Sequence, residues 1–557
     1  MAKNKLIGRV LATEKNPTTI DEFYFWTNSE TKLNAFDIVK VERTDGTDTF
    51  GVIESISHIT DATSFLTNFI SSDFGDVDIS EPTFRVNMNY AHAKVSYNTD
   101  NDYTPVHNNS KVYLASAEEI ASALGLDKVE NPLVCGSLKM YEGTEDEVPL
   151  TVNLNAKFLL GSEGAHLNIS GISGLAAKTS YAMFLMKSIQ DTYANMQDED
   201  DSVAFVLFNV KGRDLMAIDR PNDDLDDETI SEYKRLGLSQ SPFKQAKYYI
   251  PYSDATSAKQ STYLMRDDVS SYISSGKLKK FKYVYKDDKE SIEMMFANME
   301  DPNQTMEAIV SKIIDERDAD FGNLGDWKDF LDTVSENSQK GSSGSKGEIS
   351  VLSWRKFKRI VNKAIKNDDM FSNRVIPEQS ECRLAEELKH IQKNEVHVID
   401  IAKLPEDKQA FVFGDAVKTI YNLKLGEYDN KGVTPPSRIV IFIDELNKYA
   451  SSDVPKSSPI LRQILDVTER GRSLGVVLFG AEQFRSAIHK RVTGNCATHA
   501  YGRTNSIETS TGDYKSLPNT YRNMLTRLSQ GEYLIQNPVF RSLLKIKFPK
   551  PIYKQFK

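Results

Sequence analysis

The stretch Leu167–Tyr181, LNISGISGLAAKTSY, constrains this chain more than any other. It reads as a short apolar strand, a Gly/Ser-rich turn and a helix opening at Lys178-Thr179-Ser180. A phosphate-binding loop needs that order. Glycines let backbone N–H groups crowd round phosphate oxygens, and the helix N-terminus adds partial positive charge. Lys178 is then placed to reach the β- and γ-phosphates of ATP, and the Thr179 hydroxyl to ligate Mg²⁺. The expected nucleotide contacts are Gly171, Ser173, Gly174, Ala176, Ala177, Lys178, Thr179 and Ser180. The spacing departs from the usual G-x-x-x-x-G-K-[ST]. Gly171 stands seven residues before Lys178, one too many, and Ala177 replaces the glycine before the lysine. A Gly/Ser turn that merely caps a core helix would read the same way, so the loop needs a second motif beside it.

Arg438–Tyr449, RIVIFIDELNKY, supplies one. Ile439–Ile443 is a continuous apolar run, as a strand buried on both faces should be. It ends in Asp444-Glu445, the place of a Walker B pair. Asp444 is expected to support Mg²⁺ and Glu445 to polarise the attacking water.

Three further apolar runs, 203–210, 395–404 and 473–483, alternate with helical segments, so the class is α/β with a partly parallel sheet. The first ends in Lys211-Gly212-Arg213, a short basic loop at the edge where open α/β sheets bind ligands. Lys211 and Arg213 are candidate nucleic-acid phosphate contacts, or an ordinary solvated turn. The third ends in Gln483, which can sense a γ-phosphate or orient water. Arg470 and Arg472, in the turn expected before that strand, are candidates to reach a neighbouring subunit's nucleotide.

At 557 residues the chain exceeds one core and divides into roughly three or four units. Residues 4–100 carry short β-branched and aromatic runs broken by turns, which predicts a small barrel or sandwich. Ser116 and Glu119 form a capping-box pattern before a helix. Residues 220–390 read as a charged, mostly helical insertion, with helices over 289–299 and 303–317 and a flexible linker over 337–346. WRKFKRIVNKAIKN, residues 354–367, reads as a solvated amphipathic helix rather than a nucleic-acid segment. The basic, Pro-broken end reads as a tail laid along a surface. The expected units are 1–150, barrel plus connection; 151–219, first part of the core; 220–390, insertion; 391–540, second part of the core; and 541–557, tail.

The net charge of −10 excludes a surface basic all over, so any nucleic-acid contact is local. No apolar run approaches a membrane span and no signal-peptide core follows the start, so a cytoplasmic, membrane-free protein is expected. Three cysteines without metal or disulfide spacing fit a reducing compartment.

The order of features resembles the HerA/FtsK branch of P-loop ATPases, and within it the HerA-type ATPases. The barrel comes first, then EGAHLNISG and the phosphate loop, NVKGRDL, the insertion, VIFIDE, ERGRSLGV and GAEQ. The resemblance implies a RecA-like core in a homo-hexamer that moves double-stranded DNA through a central channel, using ATP and Mg²⁺. It also implies a barrel that docks a nuclease or other effector. By position, Lys178 and Thr179 match the phosphate-loop pair, Asp444 and Glu445 match Walker B, and Gln483 matches the sensor glutamine. Either Arg470 or Arg472 matches the arginine acting in trans. Relatives paired with effectors in antiphage defence suggest that role. Two readings follow: a motor, or a ring that binds ATP, hydrolyses it poorly and scaffolds an effector.

Overall fold

The computed structural model describes residues 5–28, 30–71, 74, 86–174, 177–194, 196, 201–254, 261–296, 299–301, 303–344, 347–428 and 434–556. The N-terminal strands are β1 (Leu6–Leu11), β2 (Glu22–Thr27), β3 (Ile38–Glu42), β4 (Asp48–Thr60), β5 (Asn87–Asn98) and β6 (Lys111–Leu114). They close a barrel in the order β1-β2-β5-β4-β3-β6. Alternation drives the closure. In β2, Phe23 and Phe25 are fully buried while Tyr24 and Trp26 point outward. Closure pairs every edge that six short strands would otherwise leave open. The helix Ala117–Leu124 follows, with the expected capping box: Glu119 N–H donates to Ser116 Oγ, and Ser116 N–H to Glu119 Oε2 at 2.8 Å.

The rest of the chain is organised on one sheet of fourteen strands. In chain order the next strands are β7 (Pro132–Met140), β8 (Val148–Asn155), β9 (Leu167–Ser170), β10 (Val203–Asn209), β11 (Ala246–Pro251) and β12 (Leu278–Val284). A separate hairpin, β13 (Ser342–Gly344) and β14 (Gly347–Ile349), comes before β15 (Phe371–Ser372), β16 (Glu381–Arg383) and β17 (Val396–Asp400). The last are β18 (Arg438–Asp444), β19 (Val476–Glu482), β20 (Thr498–Tyr501), β21 (Glu532–Gln536) and β22 (Leu544–Lys547). Their order across the sheet is β15-β12-β11-β17-β10-β18-β19-β9-β20-β21-β22-β7-β8, with β16 beside β12. From β12 to β20 all neighbours are parallel. From β20 to β8 they are antiparallel.

The central strands read as unbroken apolar runs because both faces are covered. Val203, Phe205 and Leu207 of β10 enter one core with Tyr181, Ala182 and Met186 of the helix Lys178–Ala194. Ala204, Val206 and Phe208 enter the other, with the helices Glu406–Leu425 and Pro459–Leu474. Parallel register brings the C-terminal ends of β17, β10, β18, β19 and β9 to one edge, so Asp400, Asn209, Asp444, Glu482 and Ser170 stand in a row.

Residues 220–390 carry helices, and they also extend this sheet through β11, β12, β15 and β16. Of three local expectations, one changes. Residues 289–296 are helical as expected, in a 3₁₀ helix. Residues 337–340 end the helix Trp327–Lys340, and 342–344 pair with 347–349 in the hairpin, so the stretch is not a flexible linker; positions 345 and 346 lie outside the described residues. Asn337 is buried, which anchors the helix end. The basic segment is the helix Val351–Ile365, with Trp354, Phe357 and Val361 fully buried and its lysines outward, as a solvated amphipathic helix should be. The tail lies along 220–226: Asn222 N–H donates to Ile552 O at 3.0 Å, and Asn222 Nδ2 to Pro551 O at 2.7 Å.

Candidate functional site

β9 ends at Ser170, and the backbone turns away through Gly171 and Gly174, at φ 153° and 81°. Two backbone bonds pin the start of this loop, Gly171 N–H to Glu482 O at 3.1 Å and Ile172 N–H to Arg503 O at 2.8 Å. Ala177, in the place of the usual glycine, sits at φ 51°. That is the left-handed region, which costs a residue with a Cβ roughly 1–2 kcal/mol. Ala177 thus takes a conformation that suits glycine, under strain. Leu175 and Ala176 lie outside the described residues. The helix then begins at Lys178, and its first-turn N–H groups face the loop.

The buried Lys178 folds back on this loop: Nζ donates to Gly171 O at 2.9 Å and to Ser173 Oγ at 3.3 Å. Burial pushes its ammonium pKa below the ordinary value, opposed by Asp444. Thr179 Oγ1 donates to Asp444 Oδ2 at 2.9 Å, joining residues 265 apart in sequence. Two hard oxygen donors therefore converge at the first turn of the helix, a set that fits Mg²⁺, which takes few protein ligands beside phosphate and water. Among the described residues no cluster of three or more His, Cys, Asp or Glu side chains is placed to hold a metal. Ser180 follows in the first turn, half-buried.

Glu445, just past β18, is buried at φ 64°, another left-handed position occupied by a residue with a Cβ. Its N–H donates to Asp444 Oδ1 at 3.0 Å. Its Oε1 accepts from Gln483 Nε2 at 3.2 Å and from Lys211 Nζ. Burial pushes the Glu445 carboxyl up, but Lys211 and Gln483 outweigh it and hold the group below the ordinary carboxylate value. Gln483 thus stands beside the Asp-Glu strand, because β19 pairs with β18. Lys211 lies against Glu445, and Arg213 stacks on Phe556 of the tail at 4.4 Å. Asn209 fixes their loop: Nδ2 donates to Gly212 O at 3.1 Å, and Oδ1 accepts from Leu215 N–H at 3.3 Å.

Arg470 and Arg472 are exposed, and they occupy the last turns of the helix Pro459–Leu474 rather than the expected turn. The helix runs on until Gly475, at φ 76°, where a Cβ would meet Ser437 O at 2.0 Å. Arg472 Nη1 donates to Glu163 O at 3.3 Å. Both arginines sit at the N-terminal edge of β19, while Gln483 follows its C-terminal end. Seven strand residues, roughly 20 Å, separate them.

Sequence reasoning missed a buried polar group behind the phosphate loop. Arg485 Nη1 donates to Asn168 Oδ1 at 2.5 Å and lies 3.0 Å from His499 Nδ1, and the guanidinium stands over the Tyr501 ring. Glu482, fully buried, lies in register with Ser170. An acid inside the apolar run VVLFGAE was the available signal. Burial pushes the Glu482 carboxyl up from 4.5 to about 8, against the pull of Arg485. Its folded value lies above its unfolded value, so the folded chain holds this proton more tightly. The stability it contributes is complete below pH 4.5 and is lost as pH rises through about 8. Glu482→Gln stays neutral throughout. Its melting temperature should rise relative to wild type by a few degrees between about pH 6 and about pH 9. A gap that stays constant across that range would show that Glu482 titrates normally.

No protein-family model and no curated protein matches the chain. Solved structures do match. The bacterial conjugative coupling protein TrwBΔN70, in its unbound monoclinic form, aligns at 10% identity and TM-score 0.40, over 73% of this chain and 90% of that one. TrwB in complex with ADP and Mg²⁺ aligns at 10% identity and TM-score 0.35, over 69% and 78%. The genome packaging NTPase B204 from Sulfolobus turreted icosahedral virus 2, in complex with ATPγS, aligns at 16% identity and TM-score 0.22, over 29% and 71%. Among the described residues no helix is long and apolar enough to cross a membrane.

Proposed function

We propose that the chain is the subunit of an ATP-hydrolysing motor of HerA type, a ring of six that moves on double-stranded DNA. The observation that carries the reading is the Thr179–Asp444 bond at 2.9 Å. It joins the first turn of a phosphate-loop helix to the acid at the end of β18, which lies two places from β9 with β19 between them. Gly171, Ser173, Gly174, Ala176, Ala177, Lys178, Thr179 and Ser180 would surround the phosphates of ATP. Lys178, released from Gly171 O and Ser173 Oγ, neutralises β/γ-phosphate charge. Thr179 and Asp444 would hold Mg²⁺, Asp444 directly or through water. That ion, when bound, neutralises charge building between the β- and γ-phosphates. Glu445 polarises the attacking water and Gln483 orients it. Arg470 or Arg472 serves the next subunit's site. The barrel docks an effector such as a nuclease, the protein works in the cytoplasm, and antiphage defence is the role that fits such a pairing.

A second reading is a ring that binds ATP, turns it over slowly and arranges an effector. The strained Ala177 and the ion-paired Glu445 favour it. Steady-state ATP hydrolysis with and without duplex DNA separates the two: a motor responds to DNA, and a scaffold does not. Lys178→Ala should weaken nucleotide binding about ten- to hundredfold, the range of a lost charge-assisted hydrogen bond. A fluorescent-nucleotide titration in which this variant binds as wild type would remove the phosphate loop from the site.

A further inference from the structure

We propose that Lys211 is a clamp on Glu445, opened when a nucleic-acid backbone phosphate takes its ammonium. The inference rests on the ATPase reading and deepens it by naming the regulation of the same site. The geometry is asymmetric. The Glu445 side chain is 7% exposed and that of Lys211 42%, so one end of the ion pair is sealed and the other is open to solvent. Glu445 is also fixed by its neighbours, through Gln483 on Oε1 and through its own N–H on Asp444. Lys211 hangs on a flexible four-carbon stem from a loop whose backbone Asn209 holds in place. If the pair opens, the lysine moves and the glutamate stays.

The clamp matters because of what Glu445 has to do. A carboxylate that draws a proton from water needs an oxygen turned to that water. An ammonium on Oε1 occupies one acceptor oxygen and keeps it from the water. The resting arrangement is therefore suited to holding ATP without consuming it. A phosphate oxygen competes for an ammonium better than bulk water does, and the opening moves no backbone. Two phosphates are chemically able to compete, that of the bound nucleotide and that of nucleic acid. Nucleic acid is favoured because the nucleotide already has its own lysine, Lys178. Lys211 also opens to solvent two residues from a second cation, Arg213.

The test compares wild type with Lys211→Ala and with Lys211→Met, which keeps most of the aliphatic stem. ATP turnover is measured with and without saturating duplex DNA, and nucleotide affinity on the same preparations. Wild type should be stimulated about tenfold by duplex DNA, and less at high salt. Both variants should run near the stimulated rate without DNA and gain less than about twofold from it. Variants that bind nucleotide but turn over at or below the unstimulated wild-type rate overturn the clamp and place Lys211 among the groups that assist the reaction. So does a wild type that hydrolyses ATP indifferently to DNA. If wild type binds no nucleotide at all, the ATPase reading has failed and takes the clamp with it. That outcome is distinct from the other two.

Discussion

Replacing Glu445 with Gln is expected to lower ATP turnover by about a hundred- to ten-thousandfold, the span of a lost general base. Nucleotide affinity should stay within about twofold, because in the proposed mechanism Lys178 and the loop neutralise ground-state phosphate charge and Glu445 acts on the water. The substitution preserves volume and polarity at a buried position. It keeps an acceptor oxygen for Gln483 Nε2 and leaves the Asp444 contact of the backbone N–H untouched. The strain at φ 64° is the same for both residues. What changes is charge and basicity, so the effect belongs in kcat. Single-turnover hydrolysis with a parallel nucleotide titration checks it. A variant that hydrolyses at the wild-type rate would place the base elsewhere.

The second large effect is expected between subunits. Removing both Arg470 and Arg472 should cost about a thousandfold or more in turnover, the effect of an arginine placed on developing γ-phosphate charge. Neither arginine is placed to reach the site of its own chain. They lie at the N-terminal edge of β19, roughly 20 Å of strand away from Gln483 and the phosphate loop. Both are exposed on a helix whose apolar face, Ile460, Leu461, Ile464 and Val467, is already buried, so the fold does not depend on their charges. Subunit mixing is the measurement. A Lys178→Ala chain and an Arg470→Ala/Arg472→Ala chain, each inactive alone, should recover part of the activity together. Some interfaces in mixed rings then pair an intact loop with an intact arginine helix. If rings shown by mass to be mixed recover nothing, counting trapped transition-state analogue per ring decides the matter. No trapping at such interfaces places the arginine that acts in trans elsewhere.

Much of this site was legible because its parts are local. An apolar strand, glycines and Lys-Thr at a helix start, or an apolar strand ending in Asp-Glu, are patterns of neighbouring residues, and β9 and β18 lie where those patterns put them. The barrel was legible for the same reason, since alternation and turn residues act over a few positions. β11 and β12 were not. Their lysines broke the apolar pattern, and Lys282 is buried where Glu381, far along the chain, meets it at 2.7 Å. Gly/Ser composition over 337–346 suggested a linker, but packing ended the helix Trp327–Lys340 there and folded a hairpin after it.

By itself, then, the sequence determined which residues stand at strand ends and helix starts. It could do so because backbone geometry and burial on one or two faces leave a short-range signature. Only the tertiary structure decided which of those ends meet. Thr179 and Asp444 are 265 residues apart, and Lys211 and Glu445 are 234 apart. Their meeting depends on the order and register of parallel strands, which no local pattern encodes. The same register put Glu482 beside Ser170 with no water to ionise in. It also turned Lys211, which reads from sequence as either a nucleic-acid phosphate contact or part of a solvated turn, toward the Glu445 carboxylate.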